Sequence, residues 1–99
     1  MNLHELVAKK VEREPRAVDF ALETLEKWEA LGEMPPRRIQ EWRRVLIAAR
    51  RGRVGMKTLT NILRGNSAKN RRLREFAPFA GVLTREERRK AFLKCMYDH

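Results

Sequence analysis

Cysteine and histidine are scarce in this sequence of 99 residues, which contains one of the former and two of the latter. With Cys95 alone, no disulfide bond can form within the chain. His4 and His99 lie at opposite ends, and we find neither the ligand spacing of a zinc site nor the residue set of a nucleophilic active site. We therefore expect a protein that is not an enzyme and that binds no metal or cofactor.

Long apolar runs are also missing, because no segment approaches the roughly 20 apolar residues that cross a bilayer. The N-terminal segment has no secretory signal sequence. We expect a cytoplasmic protein without a membrane partner. The five glycines match neither the dinucleotide-binding fingerprint nor the phosphate-binding P-loop. Each stands where the end of a helix favours glycine.

Alternation of apolar and polar residues, the mark of a half-buried β-strand, is absent, whereas apolar residues recur at helical spacings of three and four. We predict an all-α fold, a single compact bundle of five or six helices over residues 1–99. The predicted helices lie before Pro15, from Pro15 to Leu31, from the Pro35–Pro36 pair to Gly52, from Met56 to Arg64, from Ala68 to Phe76, and after a capping box of Thr84 and Glu87.

The apolar faces of these helices predict the core. Leu73 and Phe76 are expected to anchor the fifth helix, which Ser67 caps. Phe79, in the turn PFAG, is the aromatic residue expected to be exposed. The residues expected to be largely buried are Leu25, Trp28, Trp42, Leu46, Ile62, Leu63 and Phe92.

The net charge of +10 is distributed unevenly along the chain. Residues 1–34 carry five Lys or Arg and eight Asp or Glu, whereas residues 35–99 carry eighteen and five. This division predicts an acidic surface that polyanions avoid and a basic surface that attracts them.

Three basic clusters follow one another in the sequence, in RRVLIAARRGR, SAKNRRLREF and TREERRKAFLK. Each falls on a predicted helix or at its end, so the three can converge into a stripe that follows a nucleic-acid backbone. The predicted phosphate contacts are Arg71, Arg72 and Arg74 with Lys69 and Ser67 at the centre, Arg50, Arg51 and Arg53 on one side, and Arg85, Arg88 and Arg89 on the other.

The spacing of arginines on the third predicted helix and the scarcity of exposed aromatic residues give two further predictions. Arg37, Arg44 and Arg51 recur every seven residues and so share one side of the third helix, with Arg43 and Arg50 about 100° away. Because few aromatic side chains are left outside the core to stack on single-stranded bases, we expect binding to a duplex. As the partner we expect DNA rather than RNA.

Residues 4–23 partly resemble a helix-turn-helix motif, but Glu12 and Arg13 depart from its usual glycine and apolar positions. Its second helix would also present Asp19 and Glu23 outward, where carboxylates repel phosphates. We expect this segment to be structural. A second function stays open: the acidic and basic parts could make a protein-interaction module, which forms a homodimer or docks on an acidic protein partner as an antitoxin-like inhibitor of an enzyme.

Overall fold

The computed structural model of the protein describes the backbone of residues 3–79 and 81–97, and the side chains of residues 3–79, 81–90 and 93. Within these residues there are six helices and no β-strand, so the predicted all-α bundle is confirmed. None of the described helices is long and apolar enough to cross a membrane. The helices are α1 Leu3–Arg13, α2 Arg16–Leu31, α3 Pro36–Arg51, α4 Arg53–Arg64, α5 Ala68–Arg74 and α6 Arg85–Tyr97.

The junction of α3 and α4 differs from the prediction, because α4 begins at Arg53 rather than at Met56. Gly52 alone, in an extended conformation, joins the two helices. Gly55, in the first turn of α4, lies directly against the α3 backbone, where a Cβ atom would overlap the carbonyl of Ala48. This close approach places the joined ends of α3 and α4 side by side.

The core lies among α1, α2, α3 and α4, with α3 packed against both α2 and α4, and α1 packed against α4. Leu25 and Leu46 are inaccessible to solvent, and Ile62 and Leu63 are also buried, as predicted. Trp28 is only partly buried at the edge of this core. The predicted burial of Phe92 lies outside the described side chains.

The turn after α5 folds back onto α3, which makes the prediction for Phe79 wrong. Its side chain is 5% exposed and meets the ring of Trp42 edge to face, with centroids 5.3 Å apart and an interplanar angle of 82°. The prediction for Phe76 is also wrong: α5 ends at Arg74, and Phe76 lies in the following turn with 46% of its surface exposed. Leu73 alone anchors α5 through an apolar side chain.

Both predicted capping arrangements in the second half of the chain are confirmed. The Ser67 hydroxyl accepts a hydrogen bond of 3.1 Å from the backbone N–H of Asn70. Thr84 and Glu87 form a reciprocal capping box with bonds of 2.9 and 3.1 Å. The Glu87 carboxylate also accepts a 2.5 Å hydrogen bond from Lys10, which ties the start of α6 to α1.

The ion pair between Lys10 and Glu87 predicts a pH-dependent contribution to stability. The hydrogen bond from Lys10 and then the backbone N–H of Thr84 lower the pKa of Glu87 to about 2. Because this value is below the unfolded pKa of about 4.3, the ionised carboxylate stabilises the fold above that pH, and the contribution is lost as the pH falls toward 2. Glutamine can still complete the capping box, so the loss comes from the ionised bond to Lys10, and we expect Glu87→Gln to lower the unfolding free energy by about 1 kcal/mol at pH 7.

Urea denaturation at a series of pH values between 7 and 2.5 measures this effect, and the difference between wild type and Glu87→Gln should shrink below about pH 4.3. Glu86→Gln is the matched control, because Glu86 is exposed on the same turn and its replacement removes the same charge. Its effect should stay within about 0.5 kcal/mol. A loss for Glu87→Gln that does not change with pH would contradict the role of the ionised carboxylate.

Candidate functional site

The arginines of α3 lie on two sides of the helix with different surroundings. Arg43 and Arg50 face α2, where they lie 3.1 Å from the carboxylate of Glu29 and 3.4 Å from that of Asp19. Arg50, one of the predicted phosphate contacts, therefore lines a cleft of mixed charge that also contains Glu23 and Glu26. A polyanion that entered this cleft would meet carboxylates.

Arg37, Arg44 and Arg51 form the other stripe, and all three are exposed on the side of α3 that faces away from the core. Among the residues that the structure describes, none of the three is within 4.0 Å of a carboxylate. The seven-residue spacing in the sequence thus separates paired from unpaired arginines. The unpaired stripe is free to interact with an external anion.

A groove of about 820 Å³ runs beside this stripe, between α3, α4 and α5. Val45, Ile62 and Leu73 form its apolar floor, and in the described part of the chain Glu41 is the one carboxylate along it. We call it the basic groove, because five cationic side chains line it: Arg37, Arg38 and Arg44 from α3, and Lys69 and Arg72 from α5.

Helix α5 carries one rim of the basic groove, although it is only seven residues long. Two side chains of α3 hold it: the Arg38 guanidinium donates a 3.0 Å hydrogen bond to the carbonyl of Arg72, and the indole Nε1 of Trp42 donates one of 3.0 Å to the carbonyl of Leu73. These bonds fix the position of the α5 cations relative to α3.

Arg74, one of the predicted phosphate contacts, makes hydrogen bonds within the fold. Its side chain is partly buried, and its Nη1 donates hydrogen bonds to the carbonyls of Ile62, Leu63 and Gly65, at 3.2, 3.1 and 2.5 Å. The last carbonyls of a helix have no partner within it, so Arg74 caps the C-terminus of α4 and holds α5 against it. Burial and, to a smaller degree, the charge of Arg74 lower the pKa of the neighbouring His4.

The predicted contact residues are thus distributed over several places. Lys69 and Arg72 line the basic groove, whereas Arg71 is exposed outside its lining. Ser67 serves as a helix cap. Arg85, Arg88 and Arg89 are exposed on α6, beside the tie to α1, and none of them lines the groove. Their part in binding stays a prediction.

Three cations that line the groove, Arg37, Arg38 and Arg44, are absent from the predicted phosphate contacts. The seven-residue recurrence of Arg37, Arg44 and Arg51 in the sequence is the signal that could have placed Arg37 and Arg44 there. Arg38 gives no such signal, because its place in the groove depends on the docking of α5.

A second cavity, of about 590 Å³, lies where α3 and α4 join. It continues the basic groove, because Arg44 lines both. We call it the corner notch; it combines the arginines Arg44, Arg51 and Arg53 with the small or apolar residues Ile47, Ala48, Gly52, Val54 and Gly55. None of its lining residues is acidic.

Within the described part of the chain, no group of three or more His, Cys, Asp or Glu side chains could hold a metal ion. Comparison of the sequence and the structure with protein families, with curated proteins and with solved structures finds no match. The functional argument therefore rests on the basic groove and the corner notch.

Proposed function

We propose that this protein binds nucleic acid mainly through backbone phosphates, which lie along the basic groove. The observation that carries the proposal is the composition of the groove, where five cations face one carboxylate, Glu41. The cations come from both rims, α3 and α5, so a chain of phosphates between the helices is contacted from two sides. Such an arrangement releases counterions from the polyanion, the main source of non-specific affinity.

The pairing of charges elsewhere supports the same surface. The carboxylates of α2 lie on the far side of α3, where Arg43 and Arg50 pair with two of them. A phosphate backbone in the basic groove is thus separated from the acidic surface by the width of a helix. Four of the five groove cations are arginines, whose planar guanidinium groups bind phosphate oxygens in pairs.

The test is a salt titration with three groove arginines neutralised, in the variant Arg37→Gln/Arg44→Gln/Arg72→Gln. Fluorescence anisotropy with short random-sequence DNA duplexes measures the affinity at several salt concentrations. We expect weaker binding for every sequence. The slope of log affinity against log salt should flatten by about 0.9 for each phosphate that the variant no longer neutralises.

The matched control is Arg85→Gln/Arg88→Gln/Arg89→Gln, which makes the same change of net charge on α6. Because these side chains lie outside the groove lining, we expect the salt slope to change by less than about 0.9, the value for a single phosphate. If the slope flattens as much in the α6 variant as in the groove variant, overall charge rather than the groove governs binding. If wild-type protein binds no DNA at low salt, the proposal is wrong.

A protein-interaction module is the second candidate, and one observation favours it. The acidic helix α2 exposes two large apolar side chains, Phe20 at 57% and Leu31 at 66%. Apolar residues ringed by charge are typical of protein-binding surfaces. An absence of DNA binding at low salt, together with loss of self-association or partner binding in Phe20→Ser, would favour this candidate.

A further inference from the structure

The corner between α3 and α4 lies beside the basic groove, and the proposed function gives it no role. Arg51, Gly52, Arg53 and Val54 are all exposed there. Val54 is 84% exposed, more than any other large hydrophobic residue among the side chains that the structure describes. Gly52 is fully extended, with φ 168° and ψ −174°, so the two arginines project from consecutive helices on either side of a residue without a side chain.

We propose that this corner enters the minor groove of A·T-rich duplex DNA, with Arg51 and Arg53 in the groove, while the basic groove holds the neighbouring phosphates. The inference rests on the proposed function and specifies its ligand. It is supported by the continuity of the two sites, because Arg44 lines both the basic groove and the corner notch. One strand of DNA can therefore pass from one to the other.

Electrostatics favours the narrow minor groove as the ligand of these arginines. In A-tracts, the stiff runs of A·T-rich DNA, the minor groove is narrow and its negative potential is enhanced, which attracts inserted arginines. A guanidinium group is more weakly hydrated than the ammonium group of lysine, so its transfer out of water costs less free energy. Among the residues that the structure describes, no acidic side chain lines the corner notch.

The shape and polarity of the corner notch match one edge of the minor groove. Deoxyribose carbons form much of the groove wall, and phosphates lie along its rim. Ala48 and Val54 are exposed and offer an apolar surface to the sugars, and the arginines beside them face the phosphates. The small side chain of Ala48 and the missing side chain of Gly52 leave a space of about 590 Å³ in which this edge can lie.

The same features select DNA over RNA and A·T over G·C pairs. The minor groove of A-form RNA is wide and shallow and displays 2′-hydroxyl groups, which an apolar side chain such as Val54 cannot satisfy. In a G·C pair the amino group of guanine adds a donor to the floor of the minor groove. That donor faces the cationic donors of Arg51 and Arg53 and repels them.

The experiment compares A·T-rich DNA, G·C-rich DNA, inosine·cytosine DNA and A·U-rich RNA duplexes of equal length. Inosine lacks the guanine amino group, so its pairs resemble A·T in the minor groove and G·C in the major groove. We expect wild-type protein to bind A·T-rich DNA about tenfold more tightly than G·C-rich DNA or RNA. Inosine·cytosine DNA should behave like A·T-rich DNA.

The variant Arg51→Lys/Arg53→Lys keeps the charge and should keep the salt slope, but its preference for A·T-rich DNA should fall below about threefold. Arg88→Lys/Arg89→Lys on α6 is the matched control and should keep the full preference. Far-ultraviolet circular dichroism confirms that each variant is folded. Val54→Thr, of similar size and highly exposed, should weaken binding to A·T-rich DNA by a few-fold while stability stays unchanged.

The outcomes separate this inference from the function on which it rests. Equal affinity for all four duplexes, with the groove variant still flattening the salt slope, would overturn the inference and leave the proposed function standing. The inference is also overturned if inosine·cytosine DNA binds like G·C-rich DNA, or if the lysine variant keeps the preference. Absence of binding to every duplex at low salt would overturn both.

Discussion

Replacing Trp42 by alanine should lower the free energy of unfolding by about 3 to 5 kcal/mol. The indole is fully buried and contacts the ring of Phe79 edge to face. It also donates the hydrogen bond that holds the Leu73 carbonyl at the end of α5. Truncation leaves a cavity among α3, α5 and the turn at Phe79, and deprives a buried carbonyl of its donor. Urea denaturation followed by circular dichroism measures the destabilisation.

Trp28→Ala is the matched control, because it removes the same atoms from a side chain that is only partly buried. We expect a decrease of about 1 to 2 kcal/mol for this variant. Trp42→Phe keeps most of the apolar volume and isolates the hydrogen bond to Leu73, at a cost of about 1 kcal/mol. If the two alanine variants are equally destabilised, the central position of Trp42 in the core is wrong.

Most of the helical architecture follows from local chemistry in the sequence. Pro15 and Pro36 mark helix starts, Ser67 and Thr84 cap helices, and apolar residues recur at the helical period between them. These signals act within a few residues and are therefore visible in a single sequence. They determine the number of helices and most of their ends.

The features that the sequence could not predict depend on contacts between distant segments. Gly55 resembles a helix breaker, yet it lies inside α4 because the α3 backbone occupies the space of its missing side chain. Phe79 lies in a turn typical of exposed loops, yet its burial is decided by Trp42, 37 positions earlier. Neither contact leaves a periodic pattern.

The candidate site also has one part that the sequence predicts and one part that depends on contacts between distant segments. The recurrence of Arg37, Arg44 and Arg51 predicts a shared side of α3, but which side is unpaired depends on where α2 packs. Asp19 and Glu29 are distant in sequence from the arginines of α3, and only the packing of α2 assigns them to Arg50 and Arg43. A run of cations therefore predicts a basic surface more reliably than it predicts which members are available to a ligand.

Arg74 belongs to a run of cations in the sequence, yet its side chain is used within the fold, and its replacement by methionine should have a large effect on stability. Methionine keeps the apolar stem but cannot cap the carbonyls of Ile62, Leu63 and Gly65. Because hydrogen bonds from charged groups are worth about 1.5 to 3 kcal/mol, we expect Arg74→Met to lower the unfolding free energy by about 2 to 3 kcal/mol. A solvated phosphate contact would contribute almost nothing to stability.

Arg71→Met is the control, since Arg71 is exposed on the same short helix and its replacement makes the same change of charge and shape. Its unfolding free energy should stay within about 0.5 kcal/mol of wild type. The pKa of His4 distinguishes loss of the Arg74 side chain from a general loss of stability. Because the charge of Arg74 helps to lower this pKa, Arg74→Met should raise it in a nuclear magnetic resonance titration. Burial, the larger cause, should still hold it below the usual value. Equal stability of the two variants, with the pKa of His4 unchanged, would return Arg74 to the set of exposed cations, where it could contact a phosphate directly.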